Sequence, residues 1–80
     1  MSHVPHELAE EFPEHIQAMS QLKQTNAHFA AVAERYHHLN RDIHRAETDV
    51  APTSDAVLEE WKKLRLALKD EILTLLAKAS

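Results

Sequence analysis

The absence of glycine is the feature that most limits how this chain can fold. Glycine is the usual residue in tight hairpin turns and wherever a backbone approaches a phosphate group closely. None of the 80 residues is glycine, which disfavours β folds built on tight turns and excludes P-loop and dinucleotide-binding fingerprints. The chain also contains no cysteine, so a disulfide framework, a thiolate zinc site and a cysteine nucleophile are excluded.

Length and charge narrow the possible classes of protein further. Eighty residues form one domain at most, and no apolar run approaches the roughly 18 residues of a membrane span. Residues 1–11 are acidic and lack the apolar segment of a signal peptide, so we expect a cytoplasmic protein. The formal net charge of −4 arises within residues 1–20, which hold four glutamates and no lysine or arginine. The sequence contains no cluster of basic residues, which disfavours nucleic acid and anionic membranes as partners.

The prolines mark where helices can begin. Proline is tolerated in the first turn of a helix and disrupts its interior, and the stretches 14–51 and 53–80 contain none. We therefore predict a first helix over about residues 13–47, a turn over about 48–54 and a second helix over about 55–78. Thr53 or Ser54 is suited to cap the second helix, because a side-chain oxygen at that position accepts a hydrogen bond from the first backbone amides.

The first helix carries an apolar residue at every seventh position, with a second series three residues later. This alternation is typical of a coiled-coil seam, and the second helix repeats the seven-residue spacing. Two such helices joined by a short turn predict an all-α fold, a long antiparallel helical hairpin with coiled-coil character. The repeating positions are Leu22, Phe29, Tyr36 and Ile43, then Thr25, Val32, Leu39 and Ala46, and in the second helix Trp61, Leu68 and Leu75.

The first helix is predicted to extend roughly 15–18 Å beyond the end of the second. The apolar residues of this overhang must be shielded from water, and two segments could shield them. Residues 1–11 could fold back as a short helix that offers Val4 and Leu8, or a second chain could cover the overhang. We favour a homodimer with a four-helix arrangement, because small chains without disulfides or metal commonly oligomerise. We accordingly separate an N-terminal extension, 1–11, from the hairpin, 12–80. The overhang residues are Phe12, Ile16, Met19 and Leu22.

Several short segments resemble a known family. The first helix opens at Phe12-Pro13-Glu14, the pair His28-Phe29 follows, and the second helix contains Leu68-Lys69-Asp70-Glu71-Ile72. Over about residues 12–76 the chain resembles the YdcH-like family of small bacterial proteins of unknown function. The resemblance implies a helical hairpin with coiled-coil character in the bacterial cytoplasm, and it implies no activity. The chain departs from the family in its N-terminal extension and its seven histidines.

The histidines offer two candidate chemistries. His37 and His44 flank the seam, where protonation would place charge near a packed surface, so they indicate either a pH-sensitive interface or partly exposed side chains lying against the apolar stripe. Glu34, His38 and Asp42 share one helix face. Because residues eight apart are separated by about 12 Å, they cannot bind one ion together, and we predict a solvated face with no metal site and no cofactor.

Three polar residues lie at or beside the seam, where we expect them to take part in packing. Asn26 and Asn40 could set the register of the helices through buried hydrogen bonds. Arg65 indicates either ion pairing between the helices or a contact with a partner protein, since arginine is enriched at binding hot spots. Trp61 could close the turn end of the core or contribute to the same partner surface.

We predict no catalytic residues and no enzyme activity. A narrow hairpin offers little of the roughly 300–1,000 Å³ of concavity that small-molecule sites use. The chain is predicted to be a protein–protein interaction or oligomerisation module with an unknown partner. Its predicted interface is Phe12, Ile16, Met19, Leu22, Phe29, Tyr36 and Trp61.

Two alternatives to the interaction module remain open. One is a nucleic-acid-associated regulator that uses two modest basic rows, and the other is a pH- or metal-responsive histidine-rich protein. The rows are Lys23, Arg35, Arg41 and Arg45 on the first helix, and Lys62, Lys63, Arg65 and Lys69 on the second.

Overall fold

Four α-helices and one 3₁₀ helix make up the part of the chain that the structure describes. The computed structural model describes residues 5–48 and 53–79, and no strand occurs in those ranges. The all-α class is confirmed, and so is the packing of one long helix against another. In chain order the elements are α1 (Leu8–Glu11), a 3₁₀ helix (Pro13–His15), α2 (Ile16–Thr25), α3 (Ala27–Glu47) and α4 (Asp55–Ala79).

Helices α3 and α4 pack side by side and run in opposite directions. Near the end of α3, Glu47 Oε2 lies 3.1 Å from Lys62 Nζ. Near its start, His28 Nε2 lies 3.2 Å from Glu71 Oε1. A later residue of α4 therefore faces an earlier residue of α3, as in the predicted hairpin. Positions 49–52, which form most of the predicted turn, lie outside the described residues.

Helix α4 begins at a side-chain cap. The Val57 amide donates a hydrogen bond of 3.2 Å to Ser54 Oγ, and Asp55 brings a negative charge to the first turn. Of the two capping candidates in the sequence, Ser54 takes the role. The cap satisfies one of the backbone amides that have no partner within the helix.

The helix predicted over about residues 13–47 is interrupted at Asn26, where the backbone is extended with φ −131° and ψ 104°. Asn26 Oδ1 accepts a hydrogen bond of 3.1 Å from the Phe29 amide, and Thr25 Oγ1 donates one of 2.9 Å to the Gln21 carbonyl. An asparagine side chain can replace backbone partners at a helix start, which explains why a new helix begins here. Asn26 is therefore a cap in this structure, in contrast to the register role predicted for it.

The bend at Asn26 brings α2 back onto the same core as α3 and α4. Met19 and Phe12, which were predicted to lie in an uncovered overhang, are buried within the chain, as is Leu8 of α1. The fold-back of the N-terminal segment, one of the two predicted sources of cover, is thus present as α1, while Val4 lies outside the described residues. The core cluster consists of Leu8, Phe12, Met19, Phe29, Val32, Ala33, Tyr36, Leu68, Ile72 and Leu76.

Within the described ranges, no helix is both long and apolar enough to cross a membrane. A homodimer, a four-helix arrangement and coiled-coil supercoiling stay predictions.

Candidate functional site

The N-terminal residues 5–12, here called the N-terminal clasp, are bound to the surface of α3 through their backbone. The Tyr36 hydroxyl donates a hydrogen bond of 2.7 Å to the His6 carbonyl, and Asn40 Nδ2 donates one of 2.8 Å to the Pro5 carbonyl. Tyr36 and Asn40 are one helical turn apart, so both side chains project from one face of α3. Two successive carbonyl groups are therefore bound by two successive turns of one helix.

The Asn40 side chain also joins the clasp to α4. Its Oδ1 atom accepts a hydrogen bond of 2.9 Å from Arg65 Nη1, while only 1% of the residue is exposed. Both ends of a buried amide are thus satisfied, as a polar group in a low-dielectric interior requires. Asn40 therefore makes the buried hydrogen bond between the helices that was expected of it, while its role in setting their register stays a prediction. Arg65 bonds to an amide where an ion pair was one expectation.

Carboxylates of the clasp contact basic side chains on α3, on α4 and within the clasp itself. Glu11 Oε1 lies 3.2 Å from Lys69 Nζ and 3.1 Å from His6 Nδ1, and Glu7 Oε2 lies 3.3 Å from His37 Nδ1. Partial burial by itself raises the pKa of Glu11, but the hydrogen bonds and charges of His6 and Lys69 outweigh it and hold this pKa below its usual value. The Glu11 contact is therefore made by the ionised carboxylate.

Tyr36 keeps its proton far into the alkaline range. Burial is the main cause, the negative charges of Glu11 and Glu7 add to it, and Arg65 opposes it; together they raise the pKa of Tyr36 to about 12. The phenol is therefore a neutral hydrogen-bond donor to the clasp at any pH near neutrality.

Two apolar side chains anchor the clasp at i and i+4. Leu8 and Phe12 are both buried in the core cluster, and Lys69 Nζ lies 5.8 Å from the centroid of the Phe12 ring. That distance is within the range of a cation–π attraction. Lys69 therefore contacts the clasp twice, through the Glu11 carboxylate and through the Phe12 ring.

His6 has a left-handed backbone, with φ 63°. For a residue that carries a Cβ atom this conformation costs about 1–2 kcal/mol. His6 is also the residue whose carbonyl Tyr36 binds. The clasp is thus held in a strained conformation at the point of its shortest hydrogen bond to α3, and nothing in the sequence pattern identified this residue as special.

A second candidate site is an open groove between α3 and α4, with a volume of about 640 Å³. The expectation that a narrow hairpin has little concavity is therefore wrong. Its floor is apolar, and its rim carries both positive and negative side chains. Leu64 projects into it with 51% of its surface exposed. We call this surface the α3–α4 groove; it is lined by Ala31, Glu34, Arg35, His38, Leu39, Asp42, Leu64 and Leu68.

The predicted solvated face of Glu34, His38 and Asp42 forms the rim of this groove. His38 Nε2 lies 3.5 Å from Glu34 Oε1, and both side chains are exposed. Within residues 5–48 and 53–79, no group of three or more histidine, cysteine or acidic side chains could hold a metal ion.

The seven residues predicted as a partner interface occupy three environments in the single chain. Phe12, Met19, Phe29 and Tyr36 are buried, Leu22 and Trp61 are partly buried, and Ile16 is 50% exposed. A role for these seven residues in binding a partner stays a prediction.

Three of the four basic side chains in the row on α4 pair with acidic side chains of the same chain. Lys62 pairs with Glu47 and Lys69 with Glu11, while Lys63 Nζ lies 3.7 Å from Glu60 Oε1. These pairs reduce the positive charge that the row would offer to an anionic partner.

A known family matches the part of the chain that spans α3, α4 and the residues between them. Residues 29–76 match the family described as "Protein of unknown function (DUF465)", and the chain belongs to this family. It is similar to proteins of Escherichia coli (strain K12) and Shigella flexneri, each named "Uncharacterized protein YdcH". Both are 33% identical to it over 69 residues, which cover 86% of this chain and 93% of each relative. No solved structure matches. The resemblance seen in the sequence is confirmed, and the family's description assigns no function.

Proposed function

We propose that this chain is a non-enzymatic protein–protein interaction module that forms a homodimer through the α3–α4 groove. The observation that carries the proposal is the exposure of Leu64 above an apolar floor. Val57 and Trp61 lie on the same stripe of α4 by their spacing, and Val57 is also exposed. Contiguous exposed apolar surface next to polar residues is typical of a binding site. The cytoplasmic setting expected from the sequence is part of this proposal.

The charges on the groove rim support a second copy as the occupant. Glu34 and Asp42 are acidic and Arg35 is basic, and all three line the same groove. In a two-fold dimer the same patch of both copies meets, so a patch that carries both signs can be complementary to itself. Arg35 of one copy would then face Asp42 or Glu34 of the other.

The exposure of the rim favours binding over catalysis. Catalytic acids and bases are typically withdrawn from water in a cleft. Glu34 and His38 are instead exposed to water. The groove thus offers an apolar contact surface with solvated charges around it.

The substitution Leu64→Glu tests the proposal, with sedimentation equilibrium as the measurement. We expect the wild-type chain to dimerise and the Leu64→Glu chain to be much less dimeric at the same concentration with unchanged helicity, since a carboxylate would be desolvated in the groove interface. Leu66→Glu is the matched control, because Leu66 is 59% exposed on the same helix but does not line the groove. A monomeric wild-type chain, or equal effects of the two substitutions, would contradict the proposal.

Contacts between histidines and carboxylates support a second candidate, a pH-responsive protein. His6, His28 and His37 each lie within 3.3 Å of a glutamate oxygen. Protonation would add charge attraction to each contact. Sedimentation and circular dichroism between about pH 5 and pH 8 would detect this response, and identical results across that range would exclude it.

A further inference from the structure

We propose that the N-terminal clasp can be exchanged between copies, so that residues 5–12 of one chain occupy the clasp site of a second chain. The clasp site is the surface that binds these residues in the single chain, formed by Tyr36, Asn40 and Lys69 together with the apolar contacts of the core. The partner is a second copy of this chain, and the contacts are those already described between the clasp and its own site.

The clasp site has the composition of a peptide-binding surface. It binds two backbone carbonyls through the buried side chains of Tyr36 and Asn40. It holds one carboxylate through Lys69 and encloses two apolar side chains spaced at i and i+4. Backbone capture with apolar anchors and complementary charge is how extended and helical peptides are commonly recognised. The structure shows one segment that satisfies every part of this site, and each copy of the chain carries it.

The clasp depends on its site for its own conformation. Helix α1 has only four residues, whereas isolated helices need about 12–15 residues to be even marginally stable. The left-handed backbone at His6 is likewise unfavourable unless the hydrogen bonds from α3 hold it. A clasp that leaves its site therefore has no folded state of its own to retain, and it is free to bind an equivalent site elsewhere.

The connection after the clasp is short. The last residue of the clasp, Phe12, is followed directly by the 3₁₀ helix that begins at Pro13. A short connection favours domain swapping, because the exchanged segment makes in the partner the same contacts that it makes in its own chain.

Exchange is expected to depend on concentration. In the single chain, the covalent connection gives the clasp a high effective concentration at its own site. Two chains that exchange clasps recover all the contacts and lose only the freedom of independent motion. The exchanged dimer should therefore increase with protein concentration. This proposal does not require the α3–α4 groove.

A pair of charge reversals tests the exchange directly. One full-length chain carries Glu11→Lys and the other carries Lys69→Glu, so each chain alone has like charges between clasp and site. In a mixed dimer with exchanged clasps, both contacts regain opposite charges. After the chains are unfolded and refolded together, we expect native mass spectrometry to show a severalfold excess of mixed dimer over either homodimer. A mixture with no such excess would overturn the proposal.

The same mixing experiment with Leu64→Glu in both chains separates this proposal from the groove dimer. Exchange predicts that the mixed dimer persists in this background, and its loss there would refute exchange. Circular dichroism of each variant establishes that the helices are retained. If exchange fails while the wild-type chain still dimerises through the groove, the proposed function stands without it.

A second measurement needs no substitution. Unlabelled and isotope-labelled wild-type chains are refolded together and treated with a carbodiimide, which joins a lysine to a carboxylate in contact with it. We expect linked Glu11 and Lys69 peptides in which one partner is labelled and the other is not. Glu60 and Lys63, which pair within α4, are the internal control and should give only unmixed products. If Glu11–Lys69 products are also entirely unmixed at high concentration, the clasp does not exchange.

Discussion

The buried amide of Asn40 accepts a hydrogen bond of 2.9 Å from Arg65 on the neighbouring helix and donates one of 2.8 Å to the backbone of Pro5. One side chain thus connects α3, α4 and the N-terminal clasp. Replacing it therefore affects three parts of the chain at once.

We expect Asn40→Ala to lower the free energy of unfolding by about 2–3 kcal/mol, because a charged donor and a backbone acceptor both lose their partner. Urea unfolding followed by the fluorescence of Trp61, the single tryptophan of the chain, measures this change. Asn40→Asp is the control, since it keeps an acceptor for Arg65 and removes the donor to Pro5. Because Asn40→Asp also sets a carboxylate oxygen against the Pro5 carbonyl, a smaller loss in Asn40→Asp than in Asn40→Ala would show that the Arg65 contact outweighs this repulsion. An Asn40→Ala chain as stable as the wild type would contradict the prediction.

Tyr36 makes stability sensitive to alkali. Its pKa is raised to about 12 in the folded chain, whereas an unfolded tyrosine ionises near about 10. The stabilisation from this residue is therefore complete below about pH 10 and is lost as the pH rises towards about 12. Tyr36 is the single tyrosine, so tyrosinate absorbance follows it without interference.

The Tyr36→Phe chain is the control for this alkaline loss. It lacks the ionising group and should lose little stability over the same alkaline interval. At neutral pH it should be less stable than the wild type by about 1 kcal/mol, since it lacks the hydrogen bond to His6. An alkaline loss that is the same in both chains would show that another group is responsible.

Glu11 makes stability sensitive to acid. Its folded pKa is lowered, so the ionised form stabilises the fold above the unfolded pKa of about 4.3, and this contribution is lost as the pH falls through the lower folded value. We expect the urea midpoints of wild type and Glu11→Gln to differ at neutral pH and to converge in acid. Glu14→Gln, a nearby exposed carboxylate, serves as the comparison. If the difference between the two urea midpoints stays the same down to the lowest pH measured, the Glu11 contacts do not contribute to stability as described.

The break at Asn26 is predicted to depend on its side-chain oxygen. Asn26→Ala should lower the free energy of unfolding by about 1 kcal/mol through loss of the cap to the Phe29 amide. Asn26→Ser should retain most of the stability, because serine caps nearly as well. Thermal unfolding of the two variants measures the difference, and equal stability would show that the bend is held by packing alone.

The part of the fold that follows a repeating apolar pattern could be predicted from the sequence. The series containing Phe29, Tyr36 and Ile43 is buried along α3, and the cap at Ser54 precedes α4 as expected. These features depend on side chains at regular spacing, which the sequence displays directly.

The bend at Asn26 and the clasp could not be predicted in the same way. Asparagine in a helix interior costs only a few tenths of a kcal/mol more than the average residue, so the residue alone does not distinguish a cap from an interior position. The clasp is bound through the carbonyls of Pro5 and His6, and every residue has such a carbonyl. One pattern could have pointed to it, the apolar pair Leu8 and Phe12 at i and i+4, each directly preceded by a glutamate.

Recognition through backbone oxygens also has a consequence for how this protein can diverge. Tyr36 and Asn40 bind the main chain of residues 5 and 6, so these two donors do not select the side chains there. At position 6 the selecting contact is instead with Glu11, within the segment itself. Lineages could therefore acquire new charges or new histidines in this segment, and alter its response to acidity, while α3 and its two donors stay unchanged.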